Sequence, residues 1–120
     1  MSGEKQRFVV SLYADLLQTI WNKTCLIVGP TTVQTLMESA LFQTQPRHPP
    51  LQAVALTETG LDTSVLQAQA HVHSVEALKL AFEDFLSTLF SSFTILTGDL
   101  IVRQLNPHLA QFRAQLEELG

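Results

Sequence analysis

Apolar residues recur along most of this chain at helical spacing. Over residues 5–28, Val9, Leu12, Tyr13, Leu16, Ile20 and Ile27 fall toward one side at about 100° per residue, while Ser11, Asp15, Gln18 and Asn22 fall on the other. That pattern predicts a helix lying on a core. Trp21 sits at the margin of the stripe, where its ring can pack and its N–H can reach a partner. Gly29–Pro30 predicts a stop and a restart, because glycine suits the residue after a helix and proline suits the first turn of the next. A second helix then runs from Pro30 to Phe42 or Thr44, with Val33, Leu36, Met37, Ala40 and Leu41 on its apolar side.

Three prolines in "QTQPRHPP", residues 43–50, predict an extended, exposed connection. The next segment, "LQAVALTETGL", supports two readings that stay open. Val54–Thr57 forms a short strand that "ETG" turns back through Leu61, or the segment is an irregular loop. Asp62 is a candidate N-cap for a short helix over 63–71, and Ser74 caps the longest helical segment, with Glu76 in its first turn.

From Ser74 onward Val75, Leu78, Phe82, Phe85, Leu89 and Phe93 repeat at three- and four-residue steps, and Leu86, Phe90 and Leu96 widen the stripe. A helix apolar over most of its circumference has to be surrounded. Gly98 interrupts it or packs closely, and Asp99 and Arg103 stand four apart, spaced to pair on a following helical turn. Asn106–Pro107 predicts a new start, opening a last helix over 107–119 with Leu109, Phe112, Leu116 and Leu119 on one face and His108, Gln111, Gln115 and Glu118 away from it. The fold class expected is therefore all-α. Residues 1–120 form a single-domain bundle of four to five helices around a central apolar helix at 74–97, with a short β-hairpin near 52–61 as the open question.

Composition changes the picture in one respect. A chain of 120 residues buries about two thirds of its unfolded surface, so it needs no staples. Yet charged residues are only 15%, against about 25% typically. Either Gln, Ser and Thr cover the surface, or another chain covers apolar surface. Lys and Arg total seven, without clustering, and the net charge is −4. This argues against nucleic acid and against docking on an anionic membrane. Cys25 is the one cysteine, which suits a reducing cytoplasm. "MSGEKQRFVV" does not read as a signal peptide, and Ser2 in place of Gly gives no myristoylation signal.

The candidate chemistry is sparse. His71 and His73 would face the same way in an extended segment and grip one metal, but no Cys, Asp or Glu cluster nearby completes the set. They read as polar junction residues between two helices, and the surrounding residues lack the arrangement of a phosphoacceptor histidine. Cys25 lies near a helix C-terminus, the wrong end for lowering a thiol pKa. Glu83 and Asp84 diverge by about 100° on a helix and make no obvious acid/base pair. "IVGPTT" lacks the lysine and spacing of a phosphate loop. No enzyme activity, metal or cofactor is expected.

Residues 85–102 test the membrane reading. A span takes about 20 residues. The uncharged run Phe85–Gly98 is too short, is broken by Ser and Thr, and is followed by Asp99, which would cost about 2.5–3.5 kcal/mol inside the bilayer. The apolar residues of the central helix therefore divide between its own core and a partner. Leu80, Phe90 and Ile95 point away from the main stripe, while Ser87, Ser91, Ser92 and Gly98 would let two helices approach. This favours a homodimer, and a non-enzymatic interaction or regulatory module that also meets a protein partner. The alternative is a small-molecule sensor or carrier with an apolar pocket between helices. Trp21, Phe82, Phe85, Leu89, Phe90 and Phe93 are the candidate interface or pocket residues under the two readings.

Overall fold

The computed structural model describes residues 3–118, so Ser2 and Leu119 lie outside the described residues. Helix α1, Glu4–Val28, ends at Gly29, whose φ of 89° favours glycine and whose N–H donates to the Cys25 carbonyl at 3.0 Å. Pro30 then opens α2, Pro30–Thr44, where its missing N–H is no loss. The break falls where the sequence predicts it. The apolar stripe of α1 ends before Ile27, which is part exposed.

The proline-rich stretch after α2 is not extended. It folds into two 3-10 turns, Gln45–Arg47 and Pro49–Ala53, and buries Pro50 and Leu51. The prolines sit at the first positions of these turns, where their fixed φ is compatible and no N–H is needed. The Gln45 side-chain amide pins the second turn by donating to the carbonyls of Leu51 and Val54, at 3.0 and 3.3 Å.

The hairpin forms. Strand β1, Ala55–Thr57, pairs antiparallel with β2, Gly60–Asp62, in the register Ala55–Asp62, Leu56–Leu61 and Thr57–Gly60. Two short strands are marginal alone. Here they lie against α1 and α2, and the Gln18 amide donates to the Thr59 carbonyl at 3.3 Å. Asp62 stands one residue outside the capping position. Its Oδ1 accepts from both N–H and hydroxyl of Ser64 at 2.9 and 2.7 Å, ahead of α3, Ser64–Gln69. That helix is shorter than expected and passes into a 3-10 turn, Ala70–Val72.

Ser74 accepts from the Ala77 N–H at 3.0 Å and caps α4, Val75–Thr97. Helices α1 and α2, together with α5, Leu100–Glu118, pack around α4, which buries Leu78, Ala81, Phe82, Phe85, Leu86, Leu89 and Phe93. Gly98, at φ 65°, is the joint between α4 and α5, and Asp99 pairs with Arg103 Nε at 3.3 Å across the first turn beyond it. The expected new start at Asn106–Pro107 is absent. Helix α5 runs through Pro107 without a break. An interior proline costs about 3 kcal/mol. Burial of Ile101 and Leu105 before it and Phe112 after it, about 1.5–3 kcal/mol each, outweighs that cost only while the helix stays continuous. The result is an all-α bundle with one short hairpin, its buried side chains joined in one cluster.

Candidate functional site: the outer groove of the α4–α5 hairpin

Five of the six sequence candidates are enclosed by their own chain. Trp21, Phe82, Phe85, Leu89 and Phe93 are at most 6% exposed. Phe90 is only part buried, and of the six it is the one that lines a surface groove. Ser87, Ser91, Thr94 and Ile95 of α4 share that groove with Val102 of α5. Its floor connects to the core, since the Phe90 and Phe93 rings lie 6.1 Å apart and tilted by 33°. Its rim is apolar and bare, with Ile95 88% exposed.

The groove has no charged lining residue. Three hydroxyls of this half of α4 turn back onto the helix, and of these Thr94 lines the groove. Ser92, Thr94 and Thr97 donate to the carbonyls of Thr88, Phe90 and Phe93 at 3.3, 3.0 and 2.9 Å. A hydroxyl already bonded this way loses less on leaving water than a free one.

One turn-pair earlier, the same helix is held by charge. Glu83 accepts both guanidinium nitrogens of Arg113, each at 3.0 Å, and the Tyr13 hydroxyl donates to its Oε2 at 2.8 Å. Three helices, α1, α4 and α5, thus meet at one carboxylate. The Tyr13 ring is fully buried, stacked on Phe82 at 4.7 Å and tilted against Phe112 at 4.8 Å. Burial, the hydrogen bond and the negative charge of Glu83 push its phenol well above the ordinary range, against a smaller opposing effect of Arg113. Asp84 faces elsewhere and takes Arg47 and His48 from the proline-rich turns, at 2.9 and 2.8 Å. Burial alone would raise its carboxyl, but the His48 hydrogen bond and the Arg47 charge hold it below the usual carboxylate range. The adjacent acids are therefore two anchors for different elements.

His71 lies in the 3-10 turn and His73 directly after it, where the backbone is extended. Among the described residues, no group of three or more His, Cys, Asp or Glu is placed to hold a metal. Cys25 is part buried, and burial pushes its thiol up. Gln67 Oε1 is a buried acceptor with no hydrogen-bond partner among the described residues, beside a shallow hollow between α1 and α3. A more enclosed cleft lies between α1 and α5, lined in part by Asp15, His108 and Phe112. Sequence reading singled out none of these residues as a site, because the cleft joins positions distant along the chain. Among the described residues, no helix is long and apolar enough to cross a membrane.

The chain matches no family model, no curated protein and no solved structure. Geometry alone carries the functional reading.

Proposed function

We propose that the chain is a non-enzymatic helical interaction module that pairs with a second copy of itself through the α4–α5 groove. The observation that carries this reading is the bare, charge-free face around Phe90, Ile95 and Val102. A second copy suits it for an electrostatic reason. The chain carries a net charge of −4, so two copies meet most easily where neither presents charge. Small Ser87 and Ser91 permit close approach, and the Thr94 hydroxyl is already bonded to its own helix. A seam built on short stretches of two helices sits at the lower end of interface sizes, so a weak, concentration-dependent dimer is expected. In this reading dimerisation regulates access of a protein partner to the same face. The chain works in a reducing compartment such as the cytoplasm, where Cys25, with its thiol pushed up, stays unreactive.

Sedimentation velocity across low to high micromolar concentration tests it. The wild type is expected to shift from monomer toward dimer, and Ile95→Asp to remain monomeric with an unchanged helical circular dichroism spectrum. A wild type that stays monomeric throughout would sink the reading.

A further inference from the structure

The cleft between α1 and α5 has chemistry of its own. Its space is about 210 Å³, below the roughly 300–1,000 Å³ of sites for drug-sized ligands, so it suits a fragment-sized molecule. Leu12, Leu16 and Phe112 give it an apolar base, and Leu16 and Phe112 are themselves buried. Around that base stand Asp15 and Thr19 from α1, and His108, Gln111 and Gln115 from α5. None of these five polar side chains makes a hydrogen bond or ion pair with another described residue. Elsewhere the fold uses such groups internally, as when Gln45 holds two carbonyls of the proline-rich turns.

The charge of the cleft is one-sided. Asp15 is its one carboxylate, and no Lys or Arg lines it. Arg113, next to Phe112, is held away by its two bonds to Glu83. An apolar base with a single carboxylate, ringed by hydroxyl, carboxamide and imidazole groups and by no Lys or Arg, matches one ligand class.

We infer that this cleft binds a small organic cation with an apolar body. The ammonium group lies on the Asp15 carboxylate, the apolar body rests on Leu16 and Phe112, and the carboxamides of Gln111 and Gln115 take up remaining ammonium protons or polar substituents. The α4–α5 groove is lined by other residues, with only Val102 of α5 among them, so this site is independent of the pairing proposed above.

Backbone amide NMR titration of the full chain with three isosteric probes tests the inference: phenethylammonium, phenethyl alcohol and phenylacetate. Phenethylammonium is expected to give saturable shifts at millimolar concentration, centred on Asp15, Thr19, His108 and Gln111. The alcohol should bind up to about fivefold more weakly, as expected on losing the ion pair with an exposed carboxylate while keeping an O–H donor, and phenylacetate should bind less still. Asp15 is exposed, so Asp15→Asn should fold normally and bring the ammonium down to the level of the alcohol. Ile95→Asp should bind phenethylammonium like the wild type. The inference is overturned if no probe gives saturable shifts, if all three bind alike, or if Asp15→Asn binds the cation undiminished.

Discussion

The two halves of α4 share one inner face and differ on the outer one. In the first half, Glu83 and Asp84 project from the buried stripe and each is tied to another part of the fold. In the second half the same stripe continues through Phe93, but the outer positions carry Ser91, Thr94, Ile95 and Leu96, which the described residues leave exposed. In the first half Glu83 and Asp84 add ties beyond the buried stripe, although Leu80 stays 65% exposed, and in the second half the buried stripe is the tie. Burial along a helix therefore says little about what its opposite face does. Long-range charge pairs mark the closed half, and hydroxyls bonded to their own helix mark the open one.

The largest expected effect falls on the shared inner face. Phe85→Ala and Phe93→Ala should each lose about 3–5 kcal/mol in urea unfolding, because both rings are fully enclosed. The loss should not depend on protein concentration. A concentration-dependent loss at Phe93 would show that the open half is closed by a partner on its inner side as well, and would erase the contrast.

Next comes the fastening of the closed half. Glu83→Ala leaves the buried Tyr13 hydroxyl without its acceptor, at about 1–3 kcal/mol. Arg113→Ala should cost less, about 1 kcal/mol or under, because that pair is half exposed. Tyr13 is the one tyrosine, so phenolate absorbance reports it alone. Its phenol is raised in the fold, and the sign follows from linkage. Stability is intact below about pH 10, where a free phenol is also neutral, and falls as pH rises further, because the unfolded chain releases a proton that the native one retains. Phenolate should therefore appear together with loss of helix in alkaline titration. Phenolate formed in the fully helical protein at about pH 10 would break the assignment.

The smallest stability effect belongs to the open half. Ile95→Asp should change monomer stability by no more than about 0.5 kcal/mol, as for other surface substitutions. Its effect should lie in self-association alone.

Most element boundaries were readable from local chemistry. Gly29–Pro30, the Ser74 cap, the Gly98 joint and the Asp99–Arg103 pair each depend on neighbours within a turn. The hairpin was readable as one of two options, since its stability comes from α1 and α2 and its own strands do not decide it. Two local signals misled. The prolines after α2 end that helix as expected but do not leave an extended, exposed chain, because Pro50 and Leu51 are buried in 3-10 turns, and Pro107 read as a new start that burial of Ile101, Leu105 and Phe112 outweighed. At the groove, Phe90 and Ile95 were legible as residues off the main stripe and Ser87 and Ser91 as small residues for close approach, whereas Thr94 and Val102 were not singled out. The partners of Glu83 and Asp84 lie 30 to 70 positions away, and one sequence does not state which helices meet.

The proline inside α5 has a mechanical consequence. Pro107 has no amide hydrogen, so the Arg103 carbonyl lacks its ordinary partner one turn on. The ladder of backbone bonds has a missing rung there. The gap lies between Val102, which lines the outer groove, and His108, Gln111 and Gln115, which line the cleft on α1. The buried side chains of Ile101, Leu105 and Phe112 therefore keep the two stretches in one helix without that bond.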